Sequence, residues 1–293
     1  MKFKFQHGII MSALITTVFF ASCKKDNSAS SSVTQEEAVT ASQETAEAED
    51  EYDDATEIGL SAGSGLEAGP TGNRVAGGSN EKIYLWADLL FKIGLNTTIT
   101  VSSVDSVFPK TVTIDYGSGT ICRDGRFRKG KVILTFSAPF RKQGATINIS
   151  FQDYYSNRVH IEGSKTIVNL STNGSLKYSV TISNGKVSWP SGRGFTVNAT
   201  KVVTQVAGAA TATIRDDAFS VEGTSTLVYA NGTTVVKTTE TPLVKAVECN
   251  WIAKGVLKIA INNTVVHIDF GDGTCDNKAT LSWATGQKEI TLP

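Results

Sequence analysis

The sequence is poor in the residues that most often carry catalysis or bind transition metals. Its 293 residues include three histidines and four cysteines, and the cysteines lack the close pairs that structural zinc sites use. His160 and His267 each precede an acidic residue, Glu162 and Asp269, by two positions. Such a pair could serve acid/base chemistry, but no nucleophile motif accompanies either one. We therefore expect no enzyme, cofactor or metal centre. A hydrolase that uses His267 and Asp269 is an alternative, and it would need a deep pocket at that strand.

The chain also lacks an apolar run long enough to cross a bilayer comfortably. The run from Gly8 to Phe20 follows two lysines and has about a dozen residues, whereas a membrane helix needs about 20. This predicts a cleaved signal peptide over residues 1–22. Ala21 and Ser22 stand directly before Cys23 and resemble a bacterial lipobox, with Phe20 in place of the usual Leu. The resemblance implies acylation of Cys23 and a lipid anchor in the outer membrane. An ordinary signal peptide with an incidental cysteine is the alternative.

Large apolar side chains are scarce between residues 24 and 57, where Ser, Thr, Ala and Glu predominate. Acidic residues crowd the second half of this segment, and 59–80 continues it with Gly, Ser and a Pro. A segment of this composition buries too little apolar surface to offset the entropy of ordering it. We therefore predict a disordered acidic tether over residues 23–80, followed by the folded domain over 81–293.

The first residues of the tether bear on which side of the outer membrane the domain occupies. Lys24-Lys25-Asp26 resembles the charged segment that sends lipoproteins of Bacteroidota to the cell surface, although those usually carry two consecutive acidic residues. The resemblance implies surface display, with the periplasmic face of the outer membrane as the alternative. Either location makes nucleic acid a poor partner, and we expect none.

The chain has no net charge, with 28 basic and 28 acidic residues, but the charges are unevenly distributed. The acidic tether is balanced by a basic cluster in the folded part, comprising Arg123, Arg126, Arg128, Lys129, Lys131, Arg141 and Lys142. On a hairpin these side chains could form a positive patch that attracts phosphate, sulfate or carboxylate groups, as in lipid A or acidic glycans. The alternative is that they are solvated hairpin residues and edge-strand lysines that discourage aggregation.

One motif occurs twice and indicates an internal duplication. Val112 to Cys122 reads VTIDYGSGTIC, and Val266 to Cys275 reads VHIDFGDGTC. In both copies an alternation of apolar and polar residues runs into a Gly-x-Gly turn, which is typical of a half-buried strand that ends in a tight reversal. A second pair of similar segments, from His160 and from Ser220, has a much shorter spacing, so the chain is not a simple solenoid.

The folded part is rich in Val, Ile, Thr and aromatic residues in short alternating runs. Asn173-Gly174, Asn184-Gly185, Asn231-Gly232 and Asn262-Asn263 predict tight turns between consecutive antiparallel strands. The Asn184-Gly185 turn would separate a strand ending at Ser183 from one beginning at Lys186. We predict an all-β domain of antiparallel meanders, either a sandwich or one long curled sheet, with possible halves at 81–205 and 206–293. Residues 83–95 fit a short helix or a strand.

Three cysteines remain after Cys23. Cys249 and Cys275 could form a disulfide that closes a loop of roughly 25 residues, worth about 3 kcal/mol. Cys122 and Cys275 are equivalent in the two motif copies, and the position equivalent to Cys249 in the first copy falls at Leu95. We therefore predict a Cys249–Cys275 disulfide and a free Cys122.

Exposed aromatic and basic side chains are the best candidates for ligand binding. Tyr154, Tyr155 and Trp189 could form a platform on which a sugar stacks, with Arg126 and Arg128 as cationic partners. Core packing is the alternative for at least one aromatic residue of each group.

The second motif copy offers the carboxylates of a weak calcium candidate, Asp269, Asp272 and Asp276. These residues lack the spacing of a calcium-loop motif.

Several segments, taken together, resemble a set of uncharacterised lipoproteins of Bacteroidota. The segments are Phe108–Gly117, Arg128–Lys131, Ile161–Thr166, Cys249–Trp251 and Asp269–Asp276. The resemblance covers roughly residue 105 to the end and implies an anchored all-β envelope protein, with no activity attached. The expected function is therefore a non-enzymatic outer-membrane lipoprotein that binds an envelope or extracellular ligand such as a glycan. A periplasmic structural or assembly partner is the alternative.

Overall fold

The computed structural model describes residues 52–63, 92–94, 96–102, 107–172, 174–211 and 215–292. These residues form one helix, α1 (52–63), and fourteen strands. The strands are β1 (Thr98–Val101), β2 (Lys110–Asp115), β3 (Thr120–Ile121), β4 (Phe127–Phe136), β5 (Thr146–Ser156), β6 (Val159–Asn169), β7 (Lys177–Ser188), β8 (Gly194–Ala207), β9 (Ala218–Tyr229), β10 (Thr234–Ala246), β11 (Lys254–Ile261), β12 (Thr264–Asp272), β13 (Lys278–Trp283) and β14 (Gly286–Thr291).

The strands form a single antiparallel sheet in which nearly every strand pairs with its neighbours in sequence. The order runs from β1 through β2 and β4 to β14 without a crossover, and the two-residue β3 pairs with β4 beside this path. The sheet is open, because β1 and β14 are its two ends. The prediction of an all-β antiparallel meander is confirmed, as one long sheet and not as a sandwich.

Alternation along the strands gives the sheet two distinct faces. In β4, Arg128, Gly130, Val132, Leu134 and Phe136 are buried, while the residues that alternate with them are more exposed. We call the buried side the inner face and the opposite side the outer face. One continuous hydrophobic cluster on the inner face extends from β2 to β13. Val112, Ile114 and Tyr116 belong to it, as predicted from the first copy of the motif.

The prediction of a disordered tether is wrong for residues 52–63, which form α1 against the inner face. Tyr52, Ala55, Ile58 and Ala62 are buried and recur at helical spacing. Gly59 lies so close to the sheet that a Cβ there would be 3.0 Å from Cδ1 of Ile149. Composition was misleading because this helix buries mainly small residues, whose close approach replaces the large apolar side chains that the segment lacks.

The predicted turn at Asn184-Gly185 is also wrong, because these residues lie inside the continuous strand β7. Asn184 has a φ of 51°, and the register between β7 and β8 shifts between Ile182 and Gly185. The pair therefore forms a bulge, a feature that also needs a positive φ. A Cβ on Gly185 would lie 2.7 Å from the Tyr52 hydroxyl, so the glycine makes room for the first residue of α1.

The cysteine predictions are confirmed. Cys249 and Cys275 form a disulfide with a Cα–Cα distance of 5.7 Å, and Cys122 is buried and unbonded. Burial raises the pKa of the Cys122 thiol, which lowers its reactivity.

Several predictions fall outside the described residues. They are the signal peptide 1–22, acylation of Cys23, the tether at 23–51 and 64–80, and most of the ambiguous segment 83–95. None of the described residues forms a helix with the length and apolarity needed to span a bilayer.

Candidate ligand-binding surface

The sheet places the predicted ligand-binding residues on opposite faces. Tyr154 is completely buried on the inner face, where its ring stacks on Phe151 at a centroid distance of 5.4 Å and lies tilted against Tyr116 at 6.1 Å. The prediction that Tyr154 is an exposed platform residue is therefore wrong. β5 continues through Tyr154 to Ser156, so strand alternation points Tyr154 inward and Tyr155 outward.

Arg128 is not a surface cation either, because its side chain has 0% exposure. Its Nη2 lies 2.8 Å from Oδ2 of Asp54 on α1 and 2.7 Å from Oδ2 of Asp124 in the β3–β4 turn. Burial alone would lower the pKa of the guanidinium, but the bond to Asp124 and the charge of Asp54 raise it. The predicted ligand-binding arginine is thus an internal partner of the helix.

A lysine near the start of the sheet completes this ion cluster. Lys92 Nζ lies 2.7 Å from Oδ1 of Asp54 and 2.8 Å from Oε2 of Glu57. Burial tends to raise the pKa of Asp54, yet the charges of Arg128 and Lys92 outweigh it and hold the pKa below its ordinary value. Asp54 and Glu57, two of the acidic residues that suggested a solvated arm, are instead partners of Arg128 and Lys92. The helical spacing of Tyr52, Ala55, Ile58 and Ala62 was the signal that could have revealed this.

A second pair of cations holds the first turn of α1. Lys165 Nζ on β6 donates a hydrogen bond to the Tyr52 carbonyl oxygen, and it lies 3.7 Å from Oδ1 of Asp53. Lys201 Nζ on β8 lies 3.6 Å from Oδ2 of the same carboxylate. Burial lowers the pKa of the Lys165 ammonium to about 8. Sequence reasoning missed this lysine, although the alternation along β6 puts it on the same face as the buried Ile161 and Ile167.

Trp189 belongs to the inner side of the sheet. It follows β7, packs against the main hydrophobic cluster and lies tilted against the buried Phe195 at 5.7 Å. The Arg193 guanidinium lies 5.8 Å from its ring centroid. Trp189 and Tyr155 are therefore on opposite sides of the sheet, and the predicted shared platform does not form.

The outer face carries a row of aligned side chains around Tyr155. Lys129 on β4 pairs with Tyr155 on β5, and Tyr155 pairs with His160 on β6. The His160 ring stacks on the tyrosine ring at 4.4 Å with an interplanar angle of 13°. The Lys129 Nζ lies 5.1 Å from the tyrosine centroid, over the ring. We call Lys129, Tyr155 and His160 the outer row.

Charged residues continue the outer row toward β7. His160 Nδ1 lies 3.7 Å from Oε2 of Glu162, and Lys186 Nζ lies 2.9 Å from the same oxygen. The Lys186 and Glu162 side chains are about half exposed. The row and its extension thus present more positive than negative groups on a solvated face.

Arg126, the remaining predicted ligand-binding residue, is half-buried in the turn before β4, where its carbonyl oxygen accepts a hydrogen bond from the Cys122 amide at 2.8 Å.

A second cluster of the same residue types lies on the outer face of the other half of the sheet. His267 Nε2 on β12 lies 3.4 Å from Oε2 of Glu240 on β10, and Lys258 Nζ on β11 lies 3.9 Å from Oε1. The carboxylate that contacts His267 is thus Glu240 and not the predicted Asp269. About a third of the His267 side chain is exposed. The imidazole is thus partly open to solvent, and the hydrolase alternative stays a prediction.

The three aspartates of the calcium candidate each stabilise their own turn. Asp269 Oδ1 accepts a hydrogen bond from the Gly271 amide at 2.9 Å, and Asp272 Oδ1 accepts one from the Thr274 amide at 3.1 Å. Asp276 Oδ1 accepts one from the Lys278 amide at 2.9 Å. Within the part of the chain that the structure describes, no three His, Cys, Asp or Glu side chains are grouped to hold a metal ion. The carboxylates are used as turn acceptors.

Comparison with known proteins gives no assignment: no family model, no curated protein and no solved structure matches this chain. The resemblance to uncharacterised lipoproteins of Bacteroidota therefore stays a prediction.

Proposed function

We propose that this chain is a non-enzymatic, lipid-anchored outer-membrane protein whose outer row binds an anionic ligand such as an acidic glycan. The observation that supports this best is the alignment of Lys129, Tyr155 and His160 on the solvated face of the sheet. The lipid anchor rests on Cys23 and the residues before it, and surface display rests on Lys24-Lys25-Asp26.

The outer row favours recognition by charge over stacking of a neutral sugar. The side chains of Lys129 and His160, from the two strands that flank β5, already lie against the Tyr155 ring. A ligand would therefore meet the lysine ammonium, the imidazole and the tyrosine hydroxyl at the outer edge of the row. Carboxylate or sulfate groups suit these donors, because hydrogen bonds between ionised partners are about twice as strong as neutral ones.

The alternative, an assembly partner on the periplasmic side, would use the free edges of the sheet. β14 is an end strand, but it carries Gln287, Lys288 and Glu289 on its exposed positions. Charged side chains on an edge strand discourage the pairing of another strand. The outer row is therefore the better candidate for a binding surface.

A panel of uronic-acid, sulfated and neutral oligosaccharides tests the ligand class. We expect the protein to bind the uronic-acid and sulfated oligosaccharides. Lys129→Ala or Tyr155→Ala should weaken this binding about tenfold, since each removes a charge-assisted hydrogen bond to the ligand. Lys258→Ala is the matched control, because this lysine has the same chemistry in the distant His267 cluster. Equal binding to neutral sugars, or equal losses in Lys258→Ala and Lys129→Ala, would overturn the proposal.

Protease treatment of intact and outer-membrane-permeabilised cells tests the location. Loss of the domain from intact cells is the expected result. Protection until permeabilisation would instead support the periplasmic alternative. A Cys23→Ser variant should leave the membrane fraction, since it cannot be acylated.

A further inference from the structure

The short β3–β4 hairpin exposes two large apolar side chains next to each other. Ile121 is 71% exposed and Phe127 is 38% exposed, and the two residues pair directly across the hairpin. The turn between them carries Arg123, which is also exposed. We call Ile121, Arg123 and Phe127 the hairpin tip.

Strand alternation and local hydrogen bonds fix the orientation of the tip. The neighbouring pair, Thr120 and Arg128, is buried on the inner face, so Ile121 and Phe127 point outward. The Phe127 ring lies against Gly119, where a Cβ would be 2.2 Å from the ring. The Phe127 amide donates to Asn157 Oδ1 at 3.1 Å, and its carbonyl oxygen accepts from the Asn157 amide at 2.9 Å. The tip is thus held in place before it meets a partner.

The charge of the tip is positive, although an acidic residue lies in the same turn. Asp124 is turned away from solvent-facing Arg123, because its carboxylate accepts hydrogen bonds from Arg128 at 3.0 and 2.7 Å and from the Arg126 amide at 3.1 Å. Lys129 follows Phe127 on the same outer face. The tip therefore combines exposed apolar side chains with cations whose nearest carboxylate in the turn is already engaged.

We propose that the hairpin tip docks on an anionic lipid surface whose headgroups carry phosphate. Ile121 and Phe127 enter the boundary between headgroups and acyl chains, and Arg123 contacts lipid phosphates. Apolar side chains flanked by Lys or Arg are the combination by which peripheral segments bind anionic membranes. Two apolar residues form a weak contact alone. A lipid anchor would keep the tip at a high effective concentration near the bilayer and so strengthen this contact. In that respect the inference rests on the proposed function.

A fluorophore at the tip tests this directly and without the anchor. In full-chain protein carrying Cys23→Ser, Ile121→Cys is labelled with a probe whose emission shifts to the blue on entering lipid, while Cys122 is buried and protected. Val206→Cys is the matched control, since Val206 is an exposed aliphatic residue on β8 at 53% exposure. We expect a blue shift at position 121 with vesicles of phosphatidylglycerol and phosphatidylcholine, and none at position 206.

Two further variants separate apolar and charge contributions. Phe127→Ser should reduce the blue shift of the label at position 121, and Arg123→Gln should lower vesicle affinity several-fold at low salt and flatten its salt dependence. No shift at position 121, or equal shifts at positions 121 and 206, would overturn docking. An equal shift on purely zwitterionic vesicles would overturn the anionic specificity. Acidic-glycan binding by Phe127→Ser should remain normal, so failure of docking is distinguishable from failure of the outer row.

Discussion

The two copies of the duplicated motif share one aspartate-to-glycine hydrogen bond but are secured in the protein by different means. In the first, Asp115 Oδ1 accepts a hydrogen bond from the Gly117 amide at 2.8 Å, and in the second, Asp269 Oδ1 accepts one from the Gly271 amide at 2.9 Å. All four glycines of the two Gly-x-Gly turns have positive φ. The shared residues therefore form the same aspartate-to-glycine hydrogen bond. The next bonds differ, because the Gly119 amide donates to the Tyr116 carbonyl oxygen at 3.2 Å, whereas the Gly273 amide donates to the Ala253 carbonyl oxygen at 2.9 Å.

The copies differ in what lies beyond the turn. The first continues into the β3–β4 hairpin, whose Arg128 and Asp124 join Asp54 of α1 in a buried ion cluster. The second continues into a loop that Cys275 ties to Cys249. The repeated motif thus specifies one local hydrogen bond, while the neighbours of each copy decide whether an ion cluster or a disulfide secures it.

The largest expected effect comes from breaking the ion cluster. Arg128→Met would leave Asp54 with Lys92 alone and Asp124 without its buried partner, and removal of one member of a buried ion pair costs about 3–5 kcal/mol. Urea unfolding should show this loss. In a Cys23→Ser background, the buried thiol of Cys122 should also react faster with a thiol reagent. Arg123→Met, an exposed arginine of the same turn, is the control and should change stability little. A loss below about 1 kcal/mol for Arg128→Met would contradict the role of the cluster.

Removal of the Cys249–Cys275 disulfide should have the next largest effect on stability. The double variant Cys249→Ser/Cys275→Ser should lose about 3 kcal/mol of stability by the loop-entropy relation, and a reductant should have the same effect on the parent protein. Its cost should add to that of Arg128→Met, since distant sites without shared partners are additive within about 0.5 kcal/mol. Strong non-additivity of the two losses in urea unfolding would show that the ion cluster and the disulfide are coupled.

The stability of the part of the sheet that α1 covers should depend on pH in the alkaline range, because Lys165 is buried there. Its pKa in the folded protein is about 8, against 10.5 for the ordinary group, so the unfolded chain binds more protons between these values. Stability from this group is therefore present above the unfolded pKa and is lost as pH falls toward 8.

As the pH rises from about 7.5 to about 9.5, the parent should therefore become more stable relative to Lys165→Met, by on the order of 2 kcal/mol in the free energy of unfolding. Lys258→Met, which removes an exposed lysine, should show no such slope. A pH-independent difference between the parent and Lys165→Met would refute the buried location of this ammonium.

The smallest expected effect sharpens the similarity of the two copies. Asp115→Ala and Asp269→Ala each remove one hydrogen bond to a turn amide, which is worth about 1 kcal/mol. Their losses of stability should be alike, because the two bonds have nearly the same length and both turns are exposed. Thermal unfolding of the two variants measures this, and a loss in one copy several times that in the other would show that the turns are not equivalent.

Much of the fold could be predicted from alternation alone. Val112, Ile114 and Tyr116 show the period of two that places them on one face of β2, and the same pattern recurs strand after strand. The disulfide could be predicted because the second copy of the motif has a cysteine at both candidate positions. The candidate site was predicted poorly, since its residues were chosen by chemical type, and Tyr154, Arg128 and Trp189 proved to lie on the inner side.

Local periodicity and a few spacings were therefore enough to predict the all-β class, the consecutive antiparallel order and the Cys249–Cys275 pair. The tertiary structure was needed to place residues 52–63 against the inner face, to show that Asn184-Gly185 is a bulge and to show that Arg128 is buried. Each of these depends on a partner far away in the chain. Asp54 meets Arg128 across 74 residues, and Tyr52 meets Glu162 across 110. No local pattern contains the energy of such a contact, so it becomes visible only when the sheet brings both partners together.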